Sequence, residues 1–458
     1  MAEALKGIYN RRHPERTDYY RIIEGNFDEF QRSYPDQFEE KYGYLRTEVM
    51  KAVYSFLECG IPENGMARFR CEECGHDFFV AYSCRCRVVC PSCSTKRSIL
   101  FGEKVREIVK PVPHLHITFT IPKILRAYFR RNRKLLKFLV QSSNWTIEKY
   151  FTEATEIEGG YTGGIYCIHF SLRSMQALPQ GSLFNVHPHL HALVPAGIMK
   201  DGLFYEQRNI STPVIAEIFR ARLLTVLLGQ GVITQELINM LMSWNHHFSL
   251  RSMQALPGFN VHVRGQIDGA DGDAIENIAR YMSRAAISVD RVEFNPADNT
   301  ITVYERKDRP SSGKHRTYTI MEFMALLAGH IPSPYESLVY YYGIYSSSHR
   351  GKERRENRDD QSIGIQETKG IGRASSTWAR LIHRIFEVNP LQCTKCGGNM
   401  RVVALITDYQ TSKRILKHIG EETIRPPPLK ANIPTTNIPD TVFWDSIPPV
   451  ESCFHSLS

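Results

Sequence analysis

The amino-acid sequence predicts an α+β fold, on three observations. Two stretches, VPHLHITFTIP at 112–122 and FNVHPHLHALV at 184–194, alternate histidines with apolar residues as half-buried strands do. Long segments with apolar residues at helical spacing surround them. A cysteine-rich segment, residues 69–97, is too short for a core of its own and has the spacing of a metal-held module.

Composition bounds the function. The chain has 458 residues, 42% of them hydrophobic and 23% charged, which suits two to four domains with real cores. A net charge of +9 permits a nucleic-acid partner without requiring one. The first twenty residues contain no apolar h-region, and no run approaches 18 apolar residues, so neither a signal peptide nor a membrane span is expected. Six of the eleven cysteines fall within residues 71–93. CxxC pairs in a chain without a leader argue for zinc in a reducing compartment rather than for disulfides.

Residues 1–60 have the apolar periodicity of packed helices. In residues 69–97, Cys71-x2-Cys74 and Cys90-x2-Cys93 predict one four-thiolate zinc site, with FFVAYSC as the connecting hairpin. Cys84 and Cys86 are surplus and able to substitute as ligands. Arg68, Arg70, Arg85, Arg87, Lys96 and Arg97 surround the module, so a second role in gripping DNA fits.

The strand at 112–122 puts His114 and His116 on one face, with His116 the better candidate to lend a ligand to a neighbouring strand. The basic segment after it, including RRNRK, reads as one or two helices; a phosphate-contacting face and a solvated face are equally compatible. The central strand puts His187, His189 and His191 on one face and Leu190, Ala192 and Val194 on the other. Imidazoles at i, i+2 and i+4 make a divalent-metal site; a histidine-rich surface strand is the plainer alternative.

The eleven residues HFSLRSMQALP occur twice, at 169–179 and 247–257, each copy followed by FNVH. That is too short and too few for a solenoid, and no chemistry is assigned to it. Residues 213–243 read as one long apolar helical stretch and 259–268 as a strand. Residues 273–284 read as a helix capped by Asp273, with Glu276 completing the box and Ile275, Ile278 and Met282 buried. A hairpin is expected over 299–306 and 315–320. The segment HIPSPYESLVYYYGIYSSSHRGK reads as a helix leading into a basic loop. A last CxxC, Cys393 and Cys396, is half a zinc ribbon, with His383, His418, Cys453 or His455 as possible completing ligands.

A metal on two histidines polarises a phosphodiester as a Lewis acid, and a tyrosine hydroxyl then attacks phosphorus. Tyr281, between Arg280 and Arg284, suits that job, with the arginines as DNA-binding groups. By residue type alone, Tyr281 is also one of 22 tyrosines, and those at 340–345 stay open as nucleophiles.

HPHLHALVPAG resembles the HUH motif (histidine, hydrophobe, histidine) of rolling-circle nucleases. The YSCRCRVVCPSC block, VPHLHITFTIP, RYMSRAAIS, LAGHIPSPYESLVYYYGIYSSSHRG and CTKCGGNM follow in the order found in rolling-circle transposases of the insertion-sequence-91 type, over residues from about 10 to 420. The resemblance implies an antiparallel-sheet HUH endonuclease domain with helices, a small N-terminal zinc-binding module and a mainly helical C-terminal region. It implies His189 and His191 as ligands of a catalytic Mg²⁺ or Mn²⁺, and structural Zn²⁺ on the cysteines. It also implies Tyr281 as a nucleophile that leaves a 5′-phosphotyrosine and a free 3′-OH. Imidazole ligands by themselves would sooner suit Zn²⁺ or Mn²⁺. Many members carry two tyrosines four residues apart; Asn277 stands at that position, so the chain resembles the single-tyrosine branch.

The expected organisation is a helical region at 1–60, a zinc module at 61–100, the catalytic domain at 101–330 and a helix at 331–345. A basic linker at 346–377, a CxxC region at 378–425 and a Pro-rich tail at 426–458 follow. The expected partner is DNA, as single-stranded or hairpin element ends, with no membrane, in the bacterial cytoplasm at the nucleoid. A DNA-binding zinc protein with a dead nuclease centre and a plasmid replication initiator are the rival functions.

Overall fold

In the computed structural model, residues 14–170, 187–243, 259–285, 288–304, 315–333, 335–356 and 391–419 are described. The repeated HFSLRSMQALP segments lie outside the described residues except for His169 and Phe170. The alternative ligands His383, Cys453 and His455 and the Pro-rich tail lie outside them as well.

The fold is a mixture of helices and antiparallel sheets. Its centre is a five-stranded sheet made of β3 (His114–Thr120), β4 (Gly163–His169), β5 (His189–Pro195), β8 (Asn260–Ile267) and β12 (Val339–Gly343). The order is β12-β4-β5-β3-β8, with every pair antiparallel, so the histidine strand β5 is central. Alternation sends Leu190, Ala192 and Val194 into a core under α4 (Lys123–Arg131), α5 (Leu136–Thr155) and α6 (Thr212–Gly229). The opposite face, with Leu193, Ile165 and Cys167, meets α3 (Pro91–Ile108) and α8 (Gly272–Met282) through Val105, Ile275, Ala279 and Met282. Both faces are therefore covered, and every residue of β5 is buried.

A second core joins α1 (Asp18–Tyr42), α2 (Thr47–Glu58), the helix Ile320–His330 and the sheet of β9 (Val292–Asn295), β10 (Thr300–Tyr304) and β11 (His315–Thr319). In α1, Tyr20, Ile23, Phe27, Phe30, Tyr34 and Phe38 form the buried stripe, and Thr17 caps the start by accepting from the Tyr20 amide. A small sheet, β13-β1-β2, pairs Met66–Cys71 (β1) with Asp77–Ala81 (β2) on one side and with Met400–Ile406 (β13) on the other. A ribbon of β6 (Gly197–Lys200) and β7 (Leu203–Glu206) follows β5. No helix among the described residues is long and apolar enough to cross a membrane.

Several sequence expectations are corrected. The stretch at 331–345 is not a helix: Val339–Gly343 is a strand paired with β4. Its run of Val and Tyr favours extended backbone, and prolines at 332 and 334 prevent an uninterrupted helix before it. The first part of the expected linker is instead a helix, Ser347–Glu356. The single helix expected over 213–243 breaks into α6 and α7 (Gln235–Ser243) at Gly231, whose φ is +64°. The CxxC region contributes a strand as well as the helix Tyr409–His418. The hairpin at 299–320 is present as β10 and β11.

Candidate metal centre and nucleophile

Three imidazoles converge on the α8 side of the central sheet. His189 and His191 project from β5, and His169 stands on β4 directly opposite His189 in the strand register. His169, His189 and His191 each offer a ring nitrogen, and the three nitrogens lie within 4.8 Å of one another. A neutral, three-imidazole set with this convergence fits a divalent ion. His187 precedes β5 and does not join the trio. Its ring lies 5.6 Å from that of His189, with both nitrogens buried and without a hydrogen-bond partner.

Neighbouring groups orient each ring. The His189 Nδ1 sits 3.0 Å from the His187 carbonyl, so an N–H there donates to that carbonyl and Nε2 becomes the ligating atom. The His191 Nδ1 lies 2.9 Å from His116 Nε2 and 3.2 Å from Thr118 Oγ1. His116 thus holds His191 rather than entering the trio. His169 Nε2 donates to the carbonyl of Met282, the last residue of α8. Burial first, and the nearby positive groups second, hold His189 at about 3 and His116 at about 4, and push His191 well below the usual imidazole range. His189 and His191 are therefore neutral at physiological pH, the state that ligation requires.

Tyr281 is brought to this cluster by α8. Asp271, not Asp273, caps that helix, its carboxylate accepting from the amides of Asp273 and Ala274. Asp273 and Glu276 instead face Arg106 of α3, at 2.6 and 3.6 Å. Ile275, Ala279 and Met282 are buried, and Ile278 only partly. Tyr281 is half-buried, with its ring edge-on to His191 at 5.5 Å and to His116 at 5.8 Å between centroids. The guanidinium of Arg264, on the edge strand β8, lies over the Tyr281 ring at 5.3 Å. Arg280 leans on Gly102 of α3, while Arg284 is exposed just beyond the helix. Arg264 is thus a cation in contact with the Tyr281 ring, beside the Arg280 and Arg284 that the sequence pointed to.

Of the other tyrosines considered as nucleophiles, Tyr341 and Tyr345 share the α8-side cluster with Tyr281. Tyr345 is buried and its hydroxyl bonds His114 Nε2 at 2.6 Å. Tyr340 and Tyr342 pack on the opposite face of the sheet, and Tyr341 sits beside Lys104 and Arg350.

The cysteines group differently from the sequence expectation. Cys90 and Cys93 join Cys59 and Cys84, whereas Cys71 and Cys74 join Cys393 and Cys396. The two early CxxC pairs are split because β1 and β2 carry the Cys71 knuckle away from the start of α3. In the first cluster, Cys93 lies 3.7 Å from Cys59 and 3.6 Å from Cys84, and Cys59 lies 3.7 Å from Cys90. Four thiolates on one tetrahedral zinc at about 2.3 Å stand about 3.8 Å apart, so the set fits that ion. Cys90 is the N-cap of α3. Cys84 supplies the substitution foreseen for it, and Cys59, a lone cysteine after α2, had no spacing signal.

Comparison with known proteins accords with a DNA-mobilising class. Residues 29–121 match the model of a transposase zinc-binding domain, and residues 180–353 match that of a putative transposase family. The transposase for insertion sequence element IS801 of Pseudomonas savastanoi pv. phaseolicola is 22% identical over 376 residues, 80% of this chain and 86% of the relative. The putative transposase y4qJ of Sinorhizobium fredii (strain NBRC 101917 / NGR234) is 22% identical over 399 residues, 83% of this chain and 95% of the relative. No solved structure matches. The chain is a transposase with a zinc-binding domain. These matches make it similar to transposases of the insertion-sequence-91 type.

Proposed function

We propose that the protein is an HUH-type, rolling-circle transposase that nicks and rejoins single-stranded DNA at element ends through a 5′-phosphotyrosine on Tyr281. The observation that carries this is the 5.5 Å approach of the Tyr281 ring to His191, a member of the three-histidine cluster. His189 and His191, with His169 as third ligand, would hold a Mg²⁺ or Mn²⁺ ion. Such an ion, when bound, would supply Lewis-acid stabilisation of the charge on the scissile phosphate.

The chain's own groups do the rest. The Tyr281 oxygen loses its proton and bonds to phosphorus; the bond from phosphorus to the 3′-oxygen breaks, and that oxygen takes up a proton as the 3′-OH. Arg264, whose guanidinium lies over the Tyr281 ring, would offset negative charge growing on the phosphate. Attack by a 3′-OH on the phosphotyrosine reverses the step, and the conserved bond energy makes an external energy source unnecessary. Asn277, one turn before Tyr281 and exposed, offers no second phenol, which supports a one-tyrosine scheme. The cluster Cys59, Cys84, Cys90 and Cys93 holds structural zinc at the start of α3, the helix against which α8 packs.

Purified protein, Mn²⁺ and a labelled oligonucleotide of the element end test the proposal. Wild type is expected to give a covalent protein–DNA band and Tyr281→Phe none, with DNA binding retained. Cleavage without any covalent band would replace the phenol with water as nucleophile. A wild type that binds but never cleaves would favour a DNA-binding protein with a dead centre.

A further inference from the structure

The second cysteine cluster joins two parts of the chain more than three hundred residues apart. Cys71 Sγ lies 3.4 Å from Cys396 Sγ, and Cys74 Sγ lies 3.6 Å from Cys393 Sγ. All four sulfurs fall within 4.8 Å of one another. These separations suit four thiolates on one tetrahedral zinc, about 3.8 Å apart, and are far from the roughly 2.0 Å of a disulfide.

The backbones around the two pairs are built alike. Cys71-Glu-Glu-Cys74 is closed by the Gly75 amide donating to the Cys71 carbonyl, and Cys393-Thr-Lys-Cys396 by the Gly397 amide donating to the Cys393 carbonyl. Each glycine takes the left-handed conformation, at φ +67° and +78°. The Cys71 amide donates to the His76 carbonyl, and the Cys393 amide to that of Gly398. Such twin knuckles aim paired sulfurs at a common point. A direct bond from the Glu72 amide to the Asn399 carbonyl locks one knuckle against the other. Behind them β13 pairs with β1 from Met66↔Ile406 to Cys71↔Met400, and Ala67, Phe69, Cys71, Cys393 and Met400 share one small core.

We infer that Cys71, Cys74, Cys393 and Cys396 form a second zinc site, and that the module is a zinc ribbon split between residues 66–81 and 391–406. The half-ribbon at Cys393 finds its missing half in Cys71 and Cys74, not in a nearby histidine. The matched zinc-binding domain, residues 29–121, therefore lacks half of this site's ligands. Zinc fastens the C-terminal segment to the N-terminal module, so a chain ending before residue 391 leaves Cys71 and Cys74 without partners. The inference stands apart from the chemistry at Tyr281.

Metal counting on the full-length protein tests it. Cobalt exchanged into the wild type should give thiolate-to-cobalt absorption for eight bound thiolates per chain, four from each cluster; absorption for four would overturn the inference. Zinc content should fall by one per chain in Cys393→Ser/Cys396→Ser and by one in Cys71→Ser/Cys74→Ser. The variant combining all four changes should also lose only one, the mark of a single shared site. Loss of two zinc ions in the combined variant, or none in the Cys393→Ser/Cys396→Ser variant, would overturn it. The cobalt measurement needs no variant and so stands even where a substitution prevents folding.

Discussion

Gly102 of α3 lies so close under Arg280 of α8 that a methyl group at Gly102 would stand 2.6 Å from the Arg280 Cγ and 2.9 Å from that of Glu276. Both atoms are near their own backbone and have little room to swing away. The contact sets the distance between the two helices, and α8 carries Tyr281. Gly102→Ala is therefore expected to displace α8, costing roughly 1–3 kcal/mol of stability as overpacking does. The rate of covalent attachment to DNA should fall further than the stability loss explains, by about tenfold to a hundredfold. Single-turnover assays well below the variant's melting temperature check this, and an unchanged rate would mean that the Tyr281 position does not depend on the packing of α3.

His116 reaches His191 Nδ1 at 2.9 Å and fixes its ring without joining the trio. Removing such an orienting partner typically weakens metal affinity by roughly tenfold to a hundredfold. His116→Ala should show that loss for Mn²⁺ by calorimetry while the stoichiometry stays the same. A loss of stoichiometry would instead make His116 a direct ligand.

Arg264 covers the Tyr281 ring from an exposed position on β8. Arg264→Ala should slow adduct formation by roughly tenfold, with Arg264→Lys intermediate. Arg284→Ala, exposed beyond the end of α8, should weaken DNA binding and its salt dependence with less effect on the chemical step. Equal effects of the two alanine variants on the bound-state rate would remove the special role of Arg264.

His114 gives the chain a pH dependence away from the metal cluster. Its Nδ1–H donates to the Val112 carbonyl at 2.6 Å, and its Nε2 accepts from the Tyr345 hydroxyl at 2.6 Å. Burial pulls its pKa down to about 4, against about 6.5 in an unfolded chain. Between those values the unfolded chain binds the proton and the folded chain does not. Its contribution is thus complete above about pH 6.5 and is lost as pH falls toward 4. Denaturant midpoints of wild type should drop across that window, and His114→Gln should flatten part of the slope. An identical slope in the variant would assign the acid sensitivity to other groups.

The sequence made parts of this legible and hid others for physical reasons. Strand alternation is local, so HPHLHALV announced both the histidine face and the buried face of β5. His169 was hidden because strand pairing, not local sequence, sets it beside His189, at the head of a repeated segment that had no evident chemistry. Cysteine spacing misled for the same reason: Cys71–Cys74 and Cys90–Cys93 are close along the chain, yet β1 and β2 carry the first pair to a partner at residue 393. The helical spacing of α8 was correctly read around Tyr281. Its neighbouring cation was not, since Arg264 comes from another element. The Val339–Gly343 strand was mistaken for helix where aromatic and β-branched content outweighs apparent periodicity.

The site of covalent attachment tests the central claim most directly. Protein reacted with an element-end oligonucleotide and Mn²⁺, digested and sequenced by mass spectrometry, should carry the nucleotide on the peptide containing Tyr281, at its phenolic oxygen. A nucleotide found on Tyr341, or on any residue outside α8, would contradict the account.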